Sequence, residues 1–226
     1  MNVEYVNHMG DDLTVVNAAR VSMDKESSWW TDNDWVDVLN PQDRKLISYL
    51  AKHNHFTPFT HCVITLRERV PIFVARQRFK HTVGFTYNEV SRRYVDSDPE
   101  FFTPDTWRGR PEVSVKQGSS EIPITGELEK VVDNVYDNAL ATCEYAYKTM
   151  LSIGVAPEQA RMVLPQSMYT EYYVTGSLFA FARAYKLRAD PHAQQEIQEL
   201  AKQWDEIIRP LFPVSWSSLV DPVPAS

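Results

Sequence analysis

The chain has 226 residues, of which 43% are hydrophobic and 23% are charged, and its formal net charge is −7. A chain of this length and composition can bury a hydrophobic core without disulfides or a structural metal. The acidic total argues against a general binder of nucleic acid or of anionic membranes, because both depend on positive charge. The first residues show no basic start before an apolar run, and no apolar stretch reaches the ~18 residues of a membrane span. We therefore expect a cytoplasmic protein.

Hydrophobic periodicity, prolines at helix starts and turn residues define the expected elements. In chain order they are a strand over 2–9, a helix to residue 20 capped by Asp11 or Asp12, a helix over 41–51, a strand over 61–70, a helix over 71–80, a long helix over 131–151, a short helix over 157–161, a strand over 167–175, a helix over 178–186 and a final long helix from 190. Helices and strands mix without regular strand-helix-strand repeats, so the expected class is α+β.

Two stretches are expected to lack regular structure. Residues 23–40 keep no period and predict a surface loop or insertion. Residues 96–126 contain four prolines and three glycines, which predicts a long loop that serves either as a lid or as a tether.

The strand over 61–70 has an alternating pattern that places Cys62 on its apolar side. We expect Cys62 to be a packing residue rather than a nucleophile, because small buried cysteines are common. Cys62 and Cys143 are far apart and form no C-x-x-C, so neither a disulfide framework nor a cysteine zinc site is supported. Glu68 is expected to be an ion-pair partner on the surface of the strand.

Positive charge is concentrated in residues 67–93, which we call the basic segment. It holds seven Lys or Arg and two Glu, a local charge of +5 in an acidic chain. A compact anionic ligand would explain it, because guanidinium groups bind phosphate with paired hydrogen bonds. A solvated basic face with a few salt bridges is the alternative.

Polar residues within the basic segment favour a ligand site. On a helix, Arg76 and Lys80 lie one turn apart. Gln77 and His81 form the neighbouring pair, so one helix face would offer two cations, an amide and an imidazole. Ser91 adds a hydroxyl further along. This set suits an anion next to a planar heterocycle.

Three histidines fall within residues 53–61, but the pattern lacks a further ligand at a metal-binding spacing, so no metal site is predicted. His55 and Thr57 are expected to contact a ligand or to cap the turn at Pro58.

Arg161 and Arg188 are isolated cations next to apolar segments. Each is either a ligand contact or the partner of a carboxylate, and Asp190 is the expected carboxylate for Arg188. The residue pattern by itself leaves both possibilities open.

Six short motifs follow one another along most of the chain. They are N-A-A-R-V-S at 17–22, K-H-x-H-x-T-P-F at 52–59, P-I-F-V-A-R-Q at 71–77, N-E-x-S-x-R-Y at 88–94, A-R-x-V-L-P at 160–165 and L-R-A-D-x-H-A-Q at 187–194. Together and in this order they resemble the flavin-dependent thymidylate synthases. The resemblance implies reductive methylation of dUMP to dTMP, with methylenetetrahydrofolate as carbon donor, NADPH as reductant and FAD as redox carrier.

The same resemblance implies an architecture. It is a curved, mostly antiparallel sheet packed with helices, in one domain over residues 1–226, and four identical chains form a homotetramer whose active sites combine residues from several subunits. The partners implied are dUMP, the folate and further copies of the chain, with no nucleic acid and no membrane.

The resemblance also assigns site residues. The dUMP pocket would be lined by Gln77, Arg78, Phe79, Lys80, Glu89, Val90, Ser91, Arg92, Arg93, Arg161 and Arg188. The flavin would lie against His55, Thr57, Lys80, His81, Thr82, Val83, Glu89, Ser177 and Arg183. Ser91 and Arg188 would be catalytic: Ser91 lies close to the reacting pyrimidine, and Arg188 favours ionisation of the uracil imide because a fixed cation stabilises an anion. Flavin chemistry needs no protein thiol, which agrees with Cys62 as packing.

Several positions depart from the usual pattern of the family. Lys80-His81-Thr82 stands where Arg-His-Arg is usual, Ser177 and Phe179 stand where Asn and Arg are common, and Arg183 stands where Asn is common. Two alternatives remain open at this point. One is a flavin enzyme that modifies another pyrimidine nucleotide, and the other is a non-catalytic nucleotide-binding homologue.

Overall fold

The computed structural model describes residues 1–31, 37–111, 118–120 and 122–221. The strands are β1 (Asn2–Met9), β2 (Trp30–Thr31), β3 (Asp37–Val38), β4 (Val63–Pro71), β5 (Phe85–Glu89) and β6 (Tyr169–Ser177). The helices are α1 (Asp12–Arg20), α2 (Pro41–Lys52), α3 (Ile72–Arg78), α4 (Glu127–Ser152), α5 (Pro157–Ala160), α6 (Leu178–Arg188), α7 (Gln195–Leu211) and α8 (Pro213–Val220).

An antiparallel sheet with strand order β1-β4-β6-β5 lies at the centre of the fold. Along β4 and β6 nearly every second side chain is buried, as expected for strands with one face against a core. Ile64 and Leu66 from β4 and Val174 from β6 have no exposed surface. The combination of an antiparallel sheet and separate helices confirms the α+β class.

Helices cover the buried face of the sheet. The predicted apolar stripe of α7 is buried at Ile197, Leu200 and Trp204, which pack in one core with Phe181 of α6 and Trp216 of α8. A stripe at this helical spacing can remove its apolar surface from water only by facing the sheet and the neighbouring helices. These helices therefore fix α6 against the end of β6.

Helix starts agree well with the local capping signals. Asp11 is the cap of α1, and its carboxylate accepts a hydrogen bond from the backbone N–H of Thr14 at 2.7 Å. Pro41 is the first residue of α2, as predicted. Prolines also stand at the start of α5 and α8.

The prediction for the carboxyl-terminal region was partly wrong. The final long helix begins at Gln195 and not at Asp190, because the Asp190 carboxylate accepts the backbone N–H of His192 at 2.8 Å and closes a turn before the helix. A further helix, α8, was not predicted. Its first N–H groups, those of Val214 and Ser215, donate to the carboxylate of Asp12 at 2.8 Å each.

Strand β5 was also absent from the prediction. Its five residues form an edge strand that pairs only with β6, in a register that joins Phe85 to Gly176 and Glu89 to Tyr172. Such a short strand has a weak local signal, and it forms because β6 offers a free edge.

The two expected loops have different outcomes. Residues 23–40 contain the small hairpin β2–β3, which the prediction lacked, and residues 32–36 lie outside the described part. Within 96–126 the described residues form no helix or strand before α4, and isolated bridges join Phe101 to Met168 and Arg108 to Pro123. Residues 112–117 and 121 of this loop lie outside the described part.

The long helix α4 is present, but this chain does not cover its apolar stripe. Of its residues only Tyr147 is buried, while Val131 is 56% exposed and Val135 is 66% exposed. Leu128 and Tyr145 are exposed as well. The predicted amphipathic pattern is therefore correct, although its apolar side faces outward in the single chain.

Two predictions for the expected strand over 61–70, of which β4 covers residues 63–70, have opposite outcomes. Cys62 has no exposed surface, and burial, followed by the charges of Asp11 and Asp12, raises the pKa of its thiol to about 12, so the prediction of a packing residue is confirmed. The prediction of a surface role for Glu68 is wrong, because its carboxylate is fully buried. It lies on the same strand face as Ile64 and Leu66, which is the core face.

Among the described residues, none of the helices is both long and apolar enough to cross a membrane. The same residues contain no group of three or more His, Cys, Asp or Glu side chains arranged to hold a metal ion.

Candidate active site

The turn between α3 and β5, residues 79–84, carries several of the predicted site residues. The helix ends at Arg78, so Lys80 and His81 lie in the turn and not on the helix face proposed for them. The backbone N–H of His81 donates to the carbonyl of Arg78 at 3.1 Å. Gly84 closes the turn with φ = +80°, and a Cβ there would lie 2.9 Å from the Cβ of Ala180. The turn is thereby packed tightly against the start of α6.

His81 and Arg188 form a direct contact across this turn. The Nε–H of Arg188 donates to Nε2 of His81 at 2.9 Å, and Nη2 donates to the backbone carbonyl of Gln77 at 3.3 Å. Burial, then the charges of Arg188, Arg78 and Arg183, lower the pKa of His81 to about 4. The ring is therefore neutral near pH 7 and carries its proton on Nδ1, because Nε2 accepts a hydrogen bond.

A cavity of about 610 Å³ opens next to this contact. Its lining includes Gln77, Lys186, Arg188, His192 and Gln194. The Gln77 side-chain amide donates to Oε1 of Gln194. Asp190 pairs with the ring of His192 at 2.9 Å and not with Arg188, so the expected pairing of Arg188 with Asp190 is wrong. Besides these groups the lining includes the carboxylate of Asp190, which is paired with His192. The two cations and two amides suit a phosphorylated heterocycle.

Other predicted substrate residues line a second cavity of about 320 Å³, which includes Val90, Arg92 and Arg161. Arg161 is exposed, and its Nε donates to the carbonyl of Glu158 at 3.2 Å. Arg92 donates to the backbone carbonyls of residues 97 and 98.

Polar contacts join the residues around this second cavity. The hydroxyl of Thr170 donates a hydrogen bond to the carboxylate of Glu89 at 2.6 Å. Arg93 pairs with Glu158 at 3.4 Å, and its backbone N–H donates to the Ser91 hydroxyl at 3.3 Å. Ser91 and Arg93 therefore lie in one ordered turn at the end of β5.

Among the residues that the structure describes, the two cavities share no lining residue. Strand β5 lies between the His81 turn and the turn with Ser91, and its five residues span about 14 Å at ~3.4 Å per residue. The chain therefore does not bring Ser91 next to Arg188. Each cavity presents one part of the predicted substrate set.

Several of the predicted cofactor residues lie around the start of α6, whereas Glu89 lies at the other end of β5. Phe56 stacks on Phe179 with ring centroids 5.1 Å apart, and the guanidinium of Arg183 lies 6.0 Å from the centroid of the Phe179 ring. The backbone N–H of Ser177 donates to the carbonyl of Gly84 at 3.2 Å. His55, Thr57, Thr82 and Val83 are exposed on the neighbouring segments.

Of the residues predicted to line the nucleotide pocket, Arg78 is buried in the core and Phe79 is partly buried against it. The side chain of Arg78 has no exposed surface and pairs with Glu68, so the prediction that it contacts the nucleotide is wrong for its side chain. Phe79 packs its ring edge-on against Tyr87 at 5.0 Å and Tyr172 at 4.8 Å. Both side chains point to the core because α3 ends there and the chain reverses towards β5.

The sequence patterns did not identify Gln194 and Tyr87 as residues of the site. Gln194 ends the motif at 187–194, and its place there was the available signal. Tyr87 has no local signal, because its hydroxyl contacts the carbonyl of His81, at 2.7 Å, only after the turn has folded.

Comparisons with known proteins agree with this geometry. The family model described as "Thymidylate synthase complementing protein" matches residues 4–214. A flavin-dependent thymidylate synthase of Thermosipho melanesiensis is 38% identical over 216 residues, which is 95% of this chain and 88% of that protein. A flavin-dependent thymidylate synthase of Thermus thermophilus is 36% identical over 96% of this chain and 74% of its own length.

Solved structures with a similar fold include the UMP/dUMP methylase PolB from Streptomyces cacaoi. The structure bound with 5-Br dUMP has a TM-score of 0.77 and 31% identity, covering 96% of this chain and 93% of that one. The structure bound with 5-Br UMP has a TM-score of 0.80 and 28% identity, covering 98% and 96%. The chain therefore belongs to the flavin-dependent thymidylate synthase family and is an enzyme of that type.

Proposed function

We propose that this enzyme carries out the reductive methylation of dUMP to dTMP with methylenetetrahydrofolate as carbon donor, NADPH as reductant and FAD as the flavin. The observation that carries the proposal is the His81–Arg188 contact at the edge of a cavity that combines cations and amides. Membership of the family supports the overall reaction and the use of a flavin.

We assign Arg188 to the uracil ring. Its charge would stabilise the anion formed when the imide ionises, which raises the electron density of the ring. Partial burial lowers the pKa of Arg188, with a smaller contribution from Arg78, but a guanidinium remains charged at neutral pH. The neutral ring of His81 accepts a hydrogen bond from Arg188 and so fixes its orientation without competing for the negative charge.

We assign the remaining predicted substrate residues to binding. The phosphate would be bound by Arg92, Arg93 and Arg161. Ser91 would lie close to the pyrimidine. The rest of the pocket would be formed by Gln77, Lys80, Glu89 and Val90. Guanidinium groups suit this role because they bind a phosphate through two parallel hydrogen bonds.

The residues around α6 fit a flavin. The exposed ring of Phe56 on Phe179 offers a flat apolar surface, and Arg183 offers a charge for a phosphate next to it. The hydroxyl of Ser177 accepts the N–H of Ala180 at 3.2 Å and retains its own proton to donate. His55, Thr57, Lys80, His81, Thr82, Val83 and Glu89 would complete the contacts. A bound flavin would supply the redox chemistry.

We further propose that residues 1–226 act as one domain and that the enzyme is a homotetramer with shared active sites. Two observations support this assembly. The substrate residues form two separate groups in one chain, and α4 leaves large apolar side chains such as Val135 exposed. A second copy could supply the missing group to each site.

The direct test is a flavin spectrum followed by an assay. The purified protein should be yellow and should release tritium from ring-labelled dUMP when NADPH and methylenetetrahydrofolate are present. Stoichiometric flavin with no tritium release and no dTMP under anaerobic conditions would contradict the proposed methylation. Absence of bound flavin, with salt-dependent binding of oligonucleotides, would indicate the non-catalytic alternative.

A second candidate is the methylation of UMP as well as dUMP. It is favoured by the similarity to PolB, a UMP/dUMP methylase whose solved structures hold 5-Br dUMP and 5-Br UMP. Turnover with dUMP, UMP and dCMP, compared as kcat/KM, separates the two candidates. Equal kcat/KM for UMP and dUMP would support the second candidate over strict thymidylate synthesis.

Replacement of Arg188 tests its assignment. We expect Arg188→Ala to lower kcat by on the order of 100-fold or more, because a preorganised charge facing the developing anion is lost. The flavin absorbance of the purified variant should stay at the level of the unchanged enzyme. Near-normal turnover in Arg188→Ala would contradict the role given to this residue.

A further inference from the structure

A buried ion pair lies directly beneath the candidate active site. Glu68 of β4 and Arg78, the last residue of α3, both have fully buried side chains, and the Arg78 Nε lies 3.2 Å from Oε2 of Glu68. Such a pair is often no better for stability than apolar residues of the same volume, because both charges lose their hydration. Stability alone therefore does not account for its presence.

The carboxylate of Glu68 is held rigidly by three elements. Besides Arg78, it accepts the hydroxyl of Tyr172 at 2.6 Å and the indole N–H of Trp204 at 3.0 Å. The guanidinium of Arg78 also lies over aromatic rings, 4.4 Å from the centroid of Phe85 and 4.6 Å from that of Trp204. The direction of the guanidinium fork is thus fixed from several sides.

One nitrogen of the Arg78 guanidinium connects the core to the active site through hydrogen bonds. Nη1 of Arg78 donates to the hydroxyl of Tyr87 at 2.7 Å, and that hydroxyl donates to the carbonyl of His81 at 2.7 Å. The other terminal nitrogen, Nη2, is buried and has no hydrogen-bond partner among the described residues. A buried N–H donor without a partner lowers the stability of the fold. The guanidinium of Arg78 therefore has an orientation that keeps the hydrogen bond to Tyr87 at the expense of leaving Nη2 unpaired.

These hydrogen bonds run from Arg78 through Tyr87 to His81, and the side chain of His81 in turn contacts Arg188. We propose that Arg78 and Tyr87 are positioning residues. They hold the turn that carries His81, and they thereby keep His81 in hydrogen-bond contact with Arg188. The inference rests on the proposed function, because it assigns these residues to the site that binds dUMP. The residues act through His81 and not by touching the substrate.

The chain offers a matched pair of variants. Tyr87→Phe removes the hydroxyl that joins Arg78 to His81 and keeps the ring. Tyr172→Phe removes a hydroxyl from the same buried network, on the side of Glu68 that does not reach the turn. Tyr87→Phe loses two hydrogen bonds, those with Arg78 and His81, and Tyr172→Phe loses one, that with Glu68. The free energy of unfolding is therefore measured for both variants, so that a general loss of stability is separated from a loss of positioning.

Two measurements are made on each flavin-loaded variant. The first is the titration of the His81 ring by NMR, with the signal assigned through His81→Asn. The second is the equilibrium dissociation constant for dUMP together with kcat and KM. In Tyr87→Phe we expect the pKa of His81 to rise from about 4 towards 6.5, since the ring loses burial and its contact with Arg188. We expect dUMP binding to weaken by on the order of tenfold.

Tyr172→Phe should leave both the His81 titration and dUMP binding close to those of the unchanged enzyme. The proposal is overturned if Tyr87→Phe behaves like the unchanged enzyme in both measurements, or if Tyr172→Phe shows the same changes as Tyr87→Phe. If the unchanged enzyme does not bind dUMP, the proposed function fails. The His81 titration in the three proteins still decides the positioning role in that case.

A further variant tests the buried ion pair between Glu68 and Arg78 itself. The double replacement Glu68→Leu with Arg78→Met removes both charges together, so no unpaired charge remains in the core. We expect this variant to fold, with a thermal unfolding transition as cooperative as that of the unchanged enzyme. It should weaken dUMP binding to the same extent as Tyr87→Phe. Binding is the deciding measurement here, because loss of the Arg78 charge by itself raises the pKa of His81. A folded double variant that binds dUMP as tightly as the unchanged enzyme would overturn the proposal.

Discussion

His81 and Arg188 show how one contact can give a basic side chain an unusual state. Nε of Arg188 lies 2.9 Å from Nε2 of His81, and because the guanidinium is always charged, the arrangement is stable only if the imidazole is neutral. Burial and the nearby arginines make His81 the neutral partner. The charge of the pair is therefore concentrated on Arg188, next to the cavity that we assign to the nucleotide.

This arrangement predicts a pH dependence of stability. The folded protein protonates His81 only near pH 4, while the unfolded chain does so near 6.5, so the unfolded state binds more protons between these values. The contribution of His81 is fully present above pH 6.5 and is lost as the pH falls towards 4. We expect the unfolding midpoint in urea to fall less over this range in His81→Asn than in the unchanged protein.

The exposed His61 provides the control for this titration. His61→Asn should keep the pH dependence of the unchanged protein. If His81→Asn and His61→Asn follow the same curve between pH 6.5 and 4, the neutral state of His81 is contradicted.

Cys62 gives a second prediction at the scale of the residue. Its raised pKa and full burial leave the thiol protonated and inaccessible to a substrate. We expect Cys62→Ala to keep kcat within about twofold and to lower the free energy of unfolding by about 1–2 kcal/mol, because a small buried group is lost. Steady-state kinetics and urea unfolding check both parts. Complete loss of turnover in the folded variant would restore the nucleophile hypothesis.

Among the elements, the long loop before α4 is held by side chains rather than by regular structure. Arg108 donates to Glu196 at 2.7 Å and to Gln195 at 3.0 Å, both at the start of α7. Trp107 donates to Asp133 of α4 at 2.7 Å. Glu196 also accepts from Gln194, which in turn accepts from Gln77. The loop is therefore joined to the candidate active site through polar side chains.

Replacement of Arg108 should release this loop. Arg108→Ala leaves the nearly buried Glu196 with one partner fewer. We expect proteolytic cleavage within 96–126 to become on the order of tenfold faster, since local opening costs about 1.4 kcal/mol less. Limited proteolysis with mass spectrometry measures the rate. The exposed Arg110 is the control, and equal cleavage rates in Arg108→Ala and Arg110→Ala would show that the ion pair does not hold the loop.

At the scale of the whole molecule, assembly with a second copy would explain two features. These are the exposed apolar side of α4 and the distribution of the predicted substrate residues over two cavities. Leu128, Val131 and Val135 lie on one side of this helix and are each more than half exposed. A second copy that covered them would bury apolar surface and could bring its own site residues to the first chain.

Assembly is tested by placing a charge on this surface. We expect Val135→Glu to weaken the proposed tetramer by on the order of 100-fold, about 3 kcal/mol, because a carboxylate would be buried without a partner. Size-exclusion chromatography with light scattering over a range of concentrations measures the state. Asp137→Asn, on the opposite side of α4, is the control and should remain a tetramer. A tetrameric Val135→Glu at low micromolar concentration would exclude this surface from the assembly.

Sequence patterns predicted well those elements whose signals are local. The cap at Asp11 and the proline at the start of α2 depend on hydrogen bonds and backbone angles within one turn. The amphipathic stripe of α7 depends only on spacing. Arg188 and His81 were identified as site residues from motifs, but their mutual contact was not, because 107 residues separate them in the chain.

The sequence by itself determined the α+β class, the family and the positions of most helices, because these follow from composition, motif order and short-range periodicity. Only the tertiary structure decided which charges are buried. Glu68 and Arg78 form a core pair because β4 and α3 fold back on each other, and α8 begins where Asp12 of α1 accepts its first N–H groups. The physical reason is that desolvation and hydrogen-bond pairing depend on neighbours in space, which local patterns do not specify.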